Sequence, residues 1–421
     1  MFIAQKNKYS FFLVLTSVVL YLSLIFGFFY DENLNYGAYY DWLRTDFPVI
    51  KDLSFDLKNT LLNYESYGHR HSPVYLIFLS LLKNLGISYD ALRFFHLNLS
   101  ILLIYFFYKC LVLKFNNVEK SLLIILSLSI FLSPTFRSLA IWPSSRIAGL
   151  FFFVLSVYEF LKFQKTNLNI HLLKNIFFLI VSSYISPNFS LFIIFFSYYY
   201  LKRTNIKTVI LILLFCTLSS LPAFYYIFVL DINFLTAATP GIASEQAVGL
   251  SFNFSNKILI ISSIILFHFI PFLINKEFIK DFIKSLKKNV IYVVAFFTVN
   301  LIFFDYLPRF TGGGVFFQIS NYLINNNLIF YFFSFLSLML LAYFIKNNLN
   351  NLIIFILLIL SNIQNTIYHK YYDPLIMILF FTIFNSSLSN KFFKNKLSLL
   401  YLYSFYLIFI LMRIIKNNYL I

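Results

Sequence analysis

Runs of roughly 20 apolar residues with few charges recur from one end of this 421-residue chain to the other. Nothing in the sequence constrains folding more. A backbone placed in lipid must satisfy its own N–H and C=O groups, which leaves helices or closed barrels. Barrel strands are short segments of alternating polarity, whereas these runs are solidly apolar, so the pattern reads as helical. The residues are 60% hydrophobic and 12% charged, about half the charged share of a soluble domain. The expected fold class is all-α, a polytopic transmembrane protein of about 11–13 spans. One domain is expected over 1–421, with a first span at 9–30, an external loop at 31–73 and the remaining spans and loops at 74–421.

The net charge of +17 lies mostly in short links between apolar runs, such as Lys202-Arg203 and Lys276 to Lys288. That distribution is the positive-inside bias and not a nucleic-acid surface. Cys110 and Cys216 both fall in apolar runs, so no disulfide framework is indicated. Lys6 and Lys8 precede an apolar run, Tyr9 to Tyr30, that is too long for a signal peptide and lacks a small-residue cleavage site. It reads as a retained first span with a cytoplasmic N-terminus, which makes the next loop extracytoplasmic. The abundance of Phe, Ile, Asn, Lys and Tyr suggests a low-GC bacterial genome, hence an inner (plasma) membrane.

That first loop holds seven of the sixteen acidic residues: Asp31, Glu32, Asp41, Asp46, Asp52, Asp56 and Glu65. Apolar residues at helical spacing (Tyr36, Tyr39, Tyr40, Leu43, Phe47, then Ile50, Leu53, Leu57, Leu61) predict short amphipathic helices lying apolar face down on the membrane. Pro73 opens a further helix, to Leu85, too short to cross a bilayer alone. Later external loops are expected at 231–256 and 305–327, and an external turn at 369–374. The final crossing leaves Arg413 and Lys416 outside, against the charge bias. No acid falls mid-span, and His96 and His268 have no evident charged neighbour, which argues against an ion-coupled carrier.

Polar chemistry therefore gathers on the external face. Asp31-Glu32, at the mouth of the first span, could hold one carboxylate as a base while the other orients a substrate or metal. Taken alone, the pair reads first as an ordinary polar exit from the membrane. His69-Arg70-His71, beside the helix start at Pro73, suits a phosphate or pyrophosphate, and equally a basic patch among head groups. Arg309 stands near Gly312-Gly313-Gly314, whose N–H groups could cradle an anion. Arg146 begins a helix, where a snorkelling role explains it equally well, and His369-Lys370 forms another cationic turn. No Walker, GxGxxG, HExxH or CxxC pattern occurs.

The order of these pieces resembles the GT-C superfamily of integral-membrane glycosyltransferases, in particular protein O-mannosyltransferases and aminoarabinose transferases. The pieces are Asp31-Glu32 after the first span, His71-Ser72-Pro73-Val74-Tyr75-Leu76, Leu85-Gly86, and Ala91-Leu92-Arg93-Phe94. The match is closest over about the first 115 residues and looser to Glu159, with Arg146 at the family's arginine; Ser72 and Ala148 depart from the pattern. The resemblance implies an inverting transfer of a sugar from a polyprenyl-phosphate carrier to an extracytoplasmic acceptor (glycan, lipid or protein) at the surface of the membrane lipids. It implies Asp31 as base with Glu32 as partner, and His71, Arg70, Arg309 and Arg146 at the carrier phosphate; His69, His369 and Lys370 are weaker candidates. A divalent metal, Mg or Mn, could sit at Asp31 and Glu32. The rival readings are a transporter or flippase of lipid-linked glycans, and a polyprenyl-linked glycan polymerase or ligase.

Overall fold

A computed structural model describes residues 2–68, 71–232, 252–274, 276–307, 312–346, 348–395 and 397–419. Among them the regular structure is helical throughout. Seven helices are long and apolar enough to cross a membrane, and nine if two bent pairs each make one span. The chain is thus an all-α integral membrane protein. The larger number expected from sequence counts apolar runs that fold as shorter helices, among them Asn169–Ile185 and Leu349–Leu360.

The chain forms two compact units, residues 1–241 with 403–421, and residues 242–402. In the first, α1 (Phe2–Phe29) is followed by the short helices α2 (Tyr36–Asp41), α3 (Phe47–Phe55) and α4 (Leu57–Leu62), then α5 (Pro73–Asn84) and α6 (Tyr89–Lys114). Next come α7 (Lys120–Leu128), α8 (Pro134–Ile141), α9 (Ser145–Thr166), α10 (Asn169–Ile185), α11 (Phe192–Leu201) and α12 (Ile206–Phe224). The centre of the unit is α9, packed between α6 and α10. Gly149 permits the close approach, since a Cβ there would stand 2.6 Å from the Cβ of Ser186. Polar groups inside this packing are matched: Asn175 donates to the Ser156 carbonyl at 2.8 Å and accepts from the Tyr200 hydroxyl at 2.9 Å.

The amphipathic helices of the first loop exist, but the apolar face of α3 meets protein, while Tyr39, Leu43 and Leu57 are exposed. Val49, Ile50 and Leu53 are buried, and α3 packs against α5. Pro73 does open α5, with Ser72 as its N-cap.

The second unit is built around α13 (Phe254–Leu273), enclosed by α14 (Lys276–Ile302), α15 (Gly314–Ile324), α16 (Leu328–Ile345), α17 (Leu349–Leu360) and α18 (Leu375–Phe381); α19 (Ser387–Lys394) follows. Irregular backbone runs alongside α13. Asp305 accepts from Asn256 at 2.6 Å near the helix start. Gly314 then lies so close to Ile264 that a Cβ would meet its side chain at 2.7 Å. Gly313 donates to the Ile367 carbonyl at 2.9 Å, and His369 reaches His268. From Asn256 to His268 is roughly 18 Å along a helix. At Gly312 to Gly314, Ile367 and His369 this backbone is surrounded by protein. This corrects two expectations: Gly313 and Gly314 are tightly packed, and the 369–374 turn is interior, with His369 and Asp373 both buried.

The last helix, α20 (Leu397–Tyr419), returns to the first unit from residue 403 on. Its Asn417 side chain donates to the Asn33 carbonyl at 2.9 Å, so α20 ends beside the first loop.

Candidate functional site

The corner after α1 is a helix-capping motif built from Asp31 and Glu32. Glu32 N–H donates to the Gly27 carbonyl at 2.7 Å and Asp31 N–H to the Phe28 carbonyl at 3.3 Å, while Asp31 takes φ +51°. This is the Schellman pattern, with an aspartate where glycine is usual. The reversal sends the two side chains apart. Asp31 points outward, its side chain 61% exposed, whereas that of Glu32 is 21% exposed.

Each acid meets its own arginine. Arg137, from α8, holds Glu32 by two bonds: Nε to Oε1 at 2.7 Å and Nη2 to Oε2 at 2.5 Å. The same guanidinium donates to the Ser23 carbonyl at 2.9 Å and the Ser23 hydroxyl at 3.0 Å, so its position is fixed from two sides. Gly27 leaves the room, since a Cβ there would lie 2.7 Å from Glu32 Oε2 and 3.2 Å from Arg137 Nη2. Arg93, from α6, donates to Asp31 Oδ1 at 2.7 Å, and more distantly to Asp90 at 3.4 Å. Its guanidinium lies over Trp142, 3.9 Å from the ring centroid, and near Phe28 at 5.0 Å. Stacking fixes its plane.

Trp142 leads directly into the second half of the site. Its indole donates to the Glu32 carbonyl at 3.1 Å. Three residues on, Ser145 begins α9, and its hydroxyl lies 2.9 Å from His71 Nδ1. Ser144 caps the helix by accepting from Arg146 N–H at 3.2 Å. The Arg146 side chain is buried, with its guanidinium 5.1 Å from the Phe189 ring centroid. Thus Trp142 to Arg146 joins the acid corner to His71 and to the positive end of a 22-residue helix. Beneath this segment, buried His96 lies 2.8 Å from the Leu139 carbonyl and also bonds the Tyr75 hydroxyl.

The loop that carries His71 is anchored at several points. Tyr64 donates to the His71 carbonyl at 2.8 Å, and Tyr67 to Asp52 at 2.6 Å. Burial and that bond to Asp52 push the Tyr67 hydroxyl up to about 12, so it remains a donor at neutral pH. Burial, then the Asp46 charge, raises Tyr64 as well.

Of the residues expected from sequence, Asp31, Glu32, His71 and Arg146 lie along this one stretch of the first unit. His69, Arg70 and Arg309 lie outside the described residues. His369 and Lys370 belong to the second unit; His369 is buried and Lys370 half-buried, 5.4 Å from the Tyr368 ring. Arg137 was not singled out from sequence, and Arg93 entered there only through the family pattern. The available signal was electrostatic. Arg137 stands in a short helix with no other charge and Arg93 is buried in a mostly apolar one, and burial of either demands an acidic partner.

The corner does not suit a divalent cation. Arg137 occupies both oxygens of Glu32 and Arg93 one oxygen of Asp31, and two guanidinium charges already stand where an ion would bind. No protein-family model matches the chain, and neither a curated protein nor a solved structure matches it significantly.

Proposed function

We propose that the protein is a membrane glycosyltransferase that moves a sugar from a polyprenyl-phosphate carrier to an acceptor hydroxyl, with inversion, on the extracytoplasmic side. One observation carries this reading: the Trp142–Arg146 segment meets both the arginine that holds an exposed acid, Asp31, and, through Ser145, a histidine at a helix N-terminus.

The two carboxylates have different tasks. Glu32, bound on both oxygens by Arg137, positions the corner and cannot turn toward a substrate. Asp31 keeps one oxygen outside its bond to Arg93 and faces outward. It accepts the proton of the acceptor hydroxyl while that oxygen forms a bond to the anomeric carbon. The bond from that carbon to the phosphate oxygen breaks on the opposite face, and the electron pair leaves with the polyprenyl phosphate. Negative charge growing on that phosphate is stabilised by Arg146 and by the N-terminus of α9, while His71 with Ser145 grips the phosphate before and during reaction.

The test is transfer by the full chain in liposomes, supplied with a panel of polyprenyl-phosphate monosaccharides and assayed for release of polyprenyl phosphate. Asp31→Asn should lower turnover by about 10²–10⁴-fold, the range of a lost general base, with expression and membrane insertion unchanged. Full turnover in that variant would sink the assignment.

A further inference from the structure

In the second unit, three potential metal ligands converge. His268 comes from α13, whereas His369 and Asp373 come from the interior turn that precedes α18. All three are buried, 3%, 5% and 2% exposed respectively. The two Nε2 atoms are 3.0 Å apart, and one donor atom from each residue lies within 4.8 Å of the others. The imidazole rings are inclined by 34°, and Phe267 stands edge-on to both, at 5.5 Å from His268 and 5.4 Å from His369.

We propose that His268, His369 and Asp373 form a buried site for one divalent transition-metal ion of the zinc class, which ties the interior turn to α13. The donor set is the first argument. Two imidazole nitrogens and a carboxylate oxygen are borderline ligands, matched to zinc, cobalt or ferrous iron more than to magnesium or calcium. The spacing is the second. An ion bonded at about 2.1 Å keeps tetrahedral ligand atoms roughly 3.4 Å apart, so small rotations of these side chains admit it. Charge is the third. A carboxylate among aromatic rings is stabilised by a cation at the point where both imidazoles aim. Without an ion, the same two rings share one proton in an N–H···N bond. On binding, each carries its proton on Nδ1 and presents Nε2 to the metal. Three protein ligands leave a coordination position for water.

The experiment needs no sugar transfer, so it stands or falls independently of the glycosyltransferase reading. The full chain, purified in detergent and stripped with chelator, is titrated with Co²⁺ and then Zn²⁺. One equivalent of Co²⁺ should bind, with the absorption of a four- or five-coordinate ion, and Zn²⁺ should displace it. His369→Gln and Asp373→Asn should each weaken binding by more than about 100-fold, beyond what removal of an outer partner costs. Zn²⁺ should raise the thermal midpoint of the wild type and leave those of the variants unmoved. Should the variants fail to fold, metal-catalysed oxidation of the wild type with Fe²⁺ and ascorbate decides, with 2-oxohistidine expected at His268 and His369 by mass spectrometry. Absence of saturable Co²⁺ binding, undiminished binding in the two variants, or oxidation confined to other residues would each overturn the site.

Discussion

Asp31 occupies the position that glycine fills in most helix ends of its kind, and its φ of +51° makes it one of few non-glycine residues of the described chain on that side of the map. Holding a side chain there costs on the order of 1 kcal/mol. Asp31→Gly relieves that strain while removing the carboxylate and the partner of Arg93, two effects of similar size and opposite sign. Thermal stability should therefore change by no more than about 1 kcal/mol, while sugar transfer falls as far as in Asp31→Asn. An equal loss of both properties would show that the residue only caps the helix. Gly27 reports on the other acid. A glycine inside a helix ordinarily gains up to about 1 kcal/mol on becoming alanine. Here the new methyl would meet Glu32 Oε2 at 2.7 Å, so Gly27→Ala should instead destabilise by about 1–3 kcal/mol. The sign of that change, read by thermal denaturation in detergent, checks whether the Glu32–Arg137 pair is as confined as its distances indicate.

At the scale of elements, α9 matters through its first turn. Ser144 caps it, Ser145 meets His71, and Arg146 is buried beside Phe189. A group that grips the carrier phosphate before and during reaction contributes uniform binding, so its loss raises KM more than it lowers kcat. His71→Ala should raise the donor KM by about tenfold, the equivalent of one hydrogen bond, with kcat within a factor of about three; an unchanged KM would remove His71 from the phosphate. The existence of these elements was legible in the sequence. Apolar runs marked the spans, Ser72-Pro73 the start of α5, and the acidic cluster the first loop. Partners were not legible. Arg93 lies 62 residues from Asp31, and Arg137 lies 105 from Glu32, and no local pattern encodes which arginine serves which acid. The inward packing of Val49, Ile50 and Leu53 was equally hidden, since an apolar helix face fits lipid and protein alike. The interior turn at 369–374 was misplaced for a related reason: a string of polar residues between apolar runs looks external, whatever surrounds it.

For the whole molecule, the proposed reaction requires that the Asp31 corner face away from the cytoplasm. Two internal observations bear on how that can be checked. Asn417 bonds the Asn33 carbonyl, so α20 ends on the side of the first loop, as the span order read from sequence has it, even though Arg413 and Lys416 then oppose the positive-inside bias. The link after α6 lies at the other end of that 26-residue helix, roughly 39 Å long by its rise, and long enough to place its two ends on opposite sides of a bilayer. Exposed Lys58 in the first loop and exposed Asn117 beyond α6 therefore mark opposite faces. The native thiols interfere little, because Cys110 is buried and Cys216 lies part-buried within an apolar helix. In intact cells a membrane-impermeant maleimide should label Lys58→Cys, whereas Asn117→Cys should react only after permeabilisation. The reverse pattern would put the acid corner in the cytoplasm, where nucleotide-activated donors are soluble and a polyprenyl carrier offers no advantage, and the proposed donor would have to be abandoned. Labelling of both sites in intact cells would instead deny that α6 crosses the membrane.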